Sequence, residues 1–182
     1  MTRFGLDASG SLLGRFEPIE IDLLRLVAGQ LVEMLEAAGD DVAAASADPA
    51  LRRMLPDAYP DDTEATDEFR RFTAGDLLER KVFNAGVVLA TLGAALADSP
   101  VEPFDAPLDP PVERNTVTLD LDPEAVQSWL RTLTDLRLTL AERLLISPDG
   151  VMHLDGGEAP FLQEMYEWLG ALQESLVYAI DI

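Results

Sequence analysis

The sequence contains no cysteine, and that one absence removes disulfides, thiolate metal sites, cysteine nucleophiles and thiol redox sensing from the chemistry of this chain. Histidine is scarce as well. With His153 alone, nucleophiles activated by an imidazole base have almost no material to work with. Cations are few: 13 Lys and Arg stand against 34 Asp and Glu, a formal net charge of -21. A charge of that sign repels a phosphate backbone over the whole molecule and disfavours direct, high-affinity nucleic-acid binding. No uninterrupted 18-residue apolar run occurs, and Met1 to Asp7 lacks the apolar stretch of a signal peptide, so a cytoplasmic address and no membrane partner are expected. Phosphate-binding loops, dinucleotide fingerprints, nucleophile elbows and zinc-protease helices are missing from the text of the sequence. Neither a cofactor nor an enzymatic activity is therefore expected.

What is present is a chain of 182 residues, 48% of them hydrophobic, which fills the core of one domain of ordinary size in spite of the charge. The expected fold is α+β and mainly α, with about five helices packed against a small antiparallel sheet. Phe4 and Leu6, then Asp7-Ala8-Ser9-Gly10, then Leu12 and Leu13 read as a short hairpin with Gly supplying a positive-φ turn position. Leu24, Val27, Leu31 and Met34 recur at three- and four-residue steps, predicting a helix from Ile19 to Ala38 with Gly39 as its C-cap. Asp48-Pro49 opens a short helix through Leu55, since Asp caps exposed amides and Pro at the first helical position forfeits no hydrogen bond.

After a connection from Leu55 to Asp62, helical sequence runs from Thr63 to Leu96, divided at Gly75 with Asp76 capping the second part. There Leu78, Val82, Ala85, Leu89, Leu92 and Leu96 form a seam, and Gly86, Gly93 and Ala94 leave room for a close neighbour, which predicts a buried central helix. Pro100, Pro103, Pro107, Pro110 and Pro111 make residues 99–114 a stiff Pro-rich connection. Val117, Leu119 and Leu121 alternate with polar residues as a strand that pairs with the hairpin. Asp122-Pro123 repeats the cap signal and opens a helix to Ile146 with two apolar stripes: Trp129, Leu133, Leu136, Leu140 and Leu144 on one, Leu130, Leu138 and Leu145 on the other. Ser147-Pro148-Asp149-Gly150 is a turn, Val151 to Pro160 a polar loop. The last helix, Pro160 to Ile180, carries Leu162, Met165, Leu169, Leu172, Leu176 and Ala179 on one face.

Four groups of residues are candidates for function. His153 with Asp149, Asp155 and Glu158 is the best collection for a metal or an acid–base pair, but residues sharing one turn-rich loop read more simply as solvated. Asp120, Asp122 and Glu124 alternate as in a calcium loop, yet Ala125 stands where the sharp-turn Gly belongs, so they are a strand end and a helix cap. The one locally positive stretch is Phe69 to Lys81, where Arg70, Arg71, Arg80 and Lys81 meet Asp76 and Glu79. These four are the candidate nucleic-acid or partner contacts, with exposed ion pairs along helix surfaces as the simpler alternative. The stripe of Leu130, Leu138 and Leu145 is the candidate face for a homodimer or a partner.

Leu55 to Asp62, Asp67 to Thr73, Trp129-Leu130 with Leu133, Asp135, Leu136, Arg137, Leu138 and Arg143-Leu144, and Tyr166 to Gly170 with Leu172-Gln173-Glu174 together resemble the actinobacterial DUF2017 family. The resemblance runs from Phe4 to Ile180, and some members of the family are described as oxidation-sensing transcriptional regulators. It implies the fold and a regulatory role. In the regulator branch, sensing is attributed to a closely spaced cysteine pair, which this sequence does not have. The role expected from resemblance and charge together is contact with a protein partner such as a sigma factor or RNA polymerase, with DNA contact weak or indirect. The second expectation is a helical adaptor or scaffold without a transcriptional role, linked to protein turnover.

Overall fold

The computed structural model of the chain describes residues 4–40, 48–55, 58–59, 61–98, 116–154 and 156–181. Strands β1 (Phe4–Leu6) and β2 (Leu12–Phe16) form the hairpin, and β3 (Val117–Leu121) pairs with β2 to complete a three-stranded antiparallel sheet in the order β1-β2-β3. The register sets Phe4 opposite Gly14, and Leu12 to Phe16 opposite Leu121 to Val117. Alternate residues of β3 (Val117, Leu119, Leu121) are buried, as a sheet with one face on a core requires. The hairpin loop is knotted by Asp7, whose Oδ1 accepts from the amides of Ser9 and Ser11 at 2.8 Å each and from the Ser9 hydroxyl. Led by the Ser9 hydroxyl, these bonds hold its carboxyl below the ordinary value. Gly10 takes φ 85° in this loop, the left-handed region that glycine enters without strain.

Among the described residues there are five helices: α1 (Pro18–Asp40), α2 (Pro49–Met54), α3 (Thr63–Asp98), α4 (Pro123–Arg143) and α5 (Ala159–Ile180). The two Asp-Pro signals act as read. Asp48 accepts from the amide of Ala50 at 2.7 Å, and Asp122 from that of Ala125 at 2.7 Å, each ahead of a Pro at the helix start. The first helix begins one residue earlier than expected, because Pro18 fits its first position and the Glu20 carboxylate reaches back to the Glu17 amide at 2.8 Å. It also runs through Gly39 to Asp40, so Gly39 is no C-cap.

Two further expectations are corrected. The third helix is unbroken through Gly75 and Asp76, since Ala74 and Leu78 are both buried and tertiary packing outweighs the ~1 kcal/mol that Gly costs in a helix. The helix at the centre is α4, which touches α1, α2, α3, α5 and β3, rather than the segment Leu78 to Leu96. Gly86 and Gly93 have no neighbouring atom where a Cβ would stand, so no element approaches closely there. The close approach is at Gly14: a Cβ there would lie 2.8 Å from a Phe4 ring carbon and 2.9 Å from one of Phe16. Those rings and Trp129 of α4 form a cluster, Phe4 edge-on to both others, all three essentially excluded from solvent. The indole N–H donates to Thr91 Oγ1 on α3 at 3.0 Å, tying that cluster to a second helix. The sheet is pinned to α5 as well, where the Phe4 amide donates to Ser175 Oγ at 3.1 Å.

The fourth helix stops at Arg143, short of Ile146, as Leu145 adopts φ 52° and turns the chain into the Ser147 to Gly150 turn. That turn closes with the Gly150 amide on the Ser147 carbonyl at 2.9 Å. The Pro-rich connection 99–114 lies outside the described residues.

Candidate functional site

Helix α3 has two characters along its length. One side is a core seam of Leu78, Ala85, Val88 and Leu92 against α1, α4 and β3. The other is exposed and aromatic. Phe72 and Phe83 are 73% and 69% exposed. They stand eleven positions apart, about three helical turns, and so project from the same side. Phe69 is exposed one turn before Phe72 and meets Tyr59 edge-on, 6.1 Å between ring centroids. Beside Phe83, a cleft of about 660 Å³ opens between the C-terminal end of α1 and the middle of α3, lined by Leu35, Glu36, Gly39, Gly75 and Leu78. By length and composition α3 is also apolar enough to cross a membrane, with a mean hydropathy of 1.3 over its most apolar window, 28% of which is buried here.

The four candidate cations occupy three different settings on this helix. Arg70 is half-buried and donates to the Leu55 carbonyl at 3.4 Å, joining α3 to the end of α2. Arg71 and Arg80 are exposed. Lys81 turns inward: its Nζ lies 2.6 Å from Asp135 Oδ1 on α4, with side chains only 15% and 5% exposed. Burial pushes the Asp135 carboxyl above its ordinary value, opposed by the hydrogen bond and charge of Lys81. The same seam continues with Ser128 donating to Asn84 Oδ1 at 3.2 Å.

Where this seam meets solvent, a groove of about 340 Å³ is lined by Leu77, Arg80, Lys81 and Asn84 from α3 and by Arg131, Thr134 and Asp135 from α4. Sequence reading missed Arg131 and Asp135 as site residues. Helical spacing puts Asp135 on the side of Ser128, Arg131 and Thr139, away from Leu133, so the pattern reads as a polar face and gives no sign that Asp135 is 3% exposed. A buried charge in such a place requires a counter-ion.

The candidate leucines are divided. Leu130 and Leu138 are half-buried against the core, while Leu145 lies beyond the helix end and is 50% exposed. On the α5 side of α4, Arg137 donates to Gln173 Oε1 at 2.8 Å, stacks 5.0 Å from the Tyr166 ring centroid and passes 3.5 Å from the place of a Gly170 Cβ. Three of the residues that carried the resemblance thus gather around Arg137. His153 is exposed, and the Asp149 carboxylate is bonded to the Ser147 hydroxyl. No group of three His, Asp or Glu fit to hold a metal occurs among the described residues, and Asp155 lies outside them.

The fold is a mainly helical α+β arrangement organised around α4, with an aromatic outer face on α3 and a basic groove between α3 and α4. The domain of unknown function DUF2017 matches residues 1–180, and the chain belongs to that family. It is 32% identical over 189 residues to the oxidative stress regulator AosR of Mycobacterium tuberculosis, an alignment covering 90% of this chain and 79% of that protein; the AosR of Mycobacterium bovis aligns equally. The putative oxidative stress regulator AosR of Mycobacterium leprae is 31% identical over 140 residues, covering 73% of this chain and 58% of that one. No solved structure matches it. The relatives' names support a regulatory role for this chain.

Proposed function

We propose that this chain is a non-enzymatic regulator of transcription that works through protein contacts, with the outer face of α3 as the contact surface and with a sigma factor or RNA polymerase as the partner. The similarity to proteins named oxidative stress regulators over 90% of the chain carries the regulatory part of the reading. The contact surface is argued from chemistry. Exposed aromatic rings alongside Arg are the composition that protein interfaces concentrate at their centres, and Phe69, Phe72 and Phe83 with Arg80 supply it on one rigid helix. Charge disfavours the alternative of direct DNA binding: the described cations include one committed to Asp135 and one to Glu142, in a chain of net charge -21. With no cysteine, a response to oxidation in this chain would have to reach it through the partner or through a group other than a thiol.

The test is transcript profiling of a deletion strain complemented with wild-type protein or with a Phe72→Ser/Phe83→Ser variant. The reading expects a defined set of transcripts to change on deletion and to be restored by the wild type alone. An unchanged transcriptome rejects a transcriptional role and leaves an adaptor.

A further inference from the structure

The groove between α3 and α4 has a chemistry at odds with the rest of the molecule. The chain has 34 acidic and 13 basic residues, so a place where cations outnumber carboxylates runs against its overall charge. Arg80 and Arg131 face one groove from two helices, and like most arginines here neither has an ion-pair partner among the described residues. Between them lies the Lys81–Asp135 pair, so three cations meet one carboxylate there. Asn84 adds a donor. It is 7% exposed, its side-chain oxygen is taken by Ser128, and its amide nitrogen has no acceptor among the described residues while the side chain lines the groove. Thr134 contributes nothing further, because its hydroxyl donates to the Leu130 carbonyl at 2.8 Å and accepts from Gln173 at 2.7 Å.

We infer that this groove binds the phosphate group of a small metabolite, held by Arg80, Arg131 and the Asn84 amide. The free groups are donors arriving from separate directions, which suits a tetrahedral oxyanion with several acceptor oxygens better than a planar carboxylate. Lys81, neutralised by Asp135, sets the floor and keeps that carboxylate from meeting the ligand uncompensated. A volume of about 340 Å³ accommodates a small molecule and not a polymer. The site shares Arg80 with the proposed contact surface but uses neither Phe72 nor Phe83, so phosphate binding and the partner contact can fail separately.

The experiment is a ¹⁵N NMR titration of the full chain with inorganic phosphate, at constant pH and with ionic strength held by sodium chloride. Saturable shifts confined to the neighbourhoods of residues 80, 84 and 131 are expected. Arg80→Gln and Arg131→Gln, both at exposed positions, should each weaken the affinity about tenfold with the spectrum otherwise native. Arg52→Gln, on α2, should leave it unchanged. Linear, dispersed shifts, or equal binding by the Arg80 and Arg131 variants, overturn the inference. So does malonate binding more tightly than phosphate, or a short DNA duplex shifting these amides where phosphate does not.

Discussion

Lys81 Nζ of α3 stands 2.6 Å from Asp135 Oδ1 of α4, and the two side chains are almost closed to water. This contact joins residues 54 positions apart in the chain and fixes how the aromatic helix sits on the central one. Removing one partner leaves an uncompensated buried charge. Asp135→Ala is therefore expected to destabilise the protein by about 3–5 kcal/mol, whereas the double variant Lys81→Met/Asp135→Leu should come within ~1 kcal/mol of wild type or exceed it. Urea unfolding at neutral pH separates these outcomes. A single variant as stable as wild type contradicts the structural role.

The same pair carries a pH signature. Burial raises the Asp135 carboxyl above 3.8, so the folded state keeps this proton to a higher pH than the unfolded chain does. Folding then takes up a proton between the two values, and the stability contributed by this group is greatest at low pH and declines as pH rises through the folded pKa. A ¹³C NMR titration should place the Asp135 midpoint above 3.8, and Lys81→Met should move it higher still, because Lys81 opposes the rise. A midpoint at or below 3.8 argues against dominance by burial.

Two glycines offer a matched contrast. Gly14→Ala forces a methyl to 2.8 Å from the buried Phe4 ring and should cost about 1–3 kcal/mol. Gly86→Ala meets no atom on an exposed helix position and should stabilise by roughly 0.5–1 kcal/mol. Thermal unfolding of both variants is the check. Shifts of the same sign would show that the sheet does not seat on the Phe4, Phe16 and Trp129 cluster as described.

What was legible in the sequence is what is decided locally. Alternation in Val117 to Leu121 gave a strand, Asp48-Pro49 and Asp122-Pro123 gave helix starts, and Gly10 gave a turn; each is settled within a few residues. The unreadable features depend on partners distant in the chain. Gly75 looked like a break because its propensity is local, while the packing of Ala74 and Leu78 that keeps α3 continuous is not. Leu92 and Leu133 carry equally good apolar patterns, so the sequence could not say which of their helices the others surround. At the candidate site, a run of four cations looked alike on paper. Only the fold separates inward Lys81 from outward Arg71 and Arg80, and only the fold adds Arg131 from another helix.

The central claim, that the α3 outer face engages a protein of the transcription machinery, is tested most directly by equilibrium binding of the purified chain to purified RNA polymerase core, sigma factors and promoter DNA at physiological salt. The account predicts saturable binding to a polymerase component, weakened at least about tenfold by Phe72→Ser/Phe83→Ser, with stability changed by under ~0.5 kcal/mol for each of these exposed positions. Sequence-selective binding to the duplex alone, or polymerase binding indifferent to both substitutions, would contradict it.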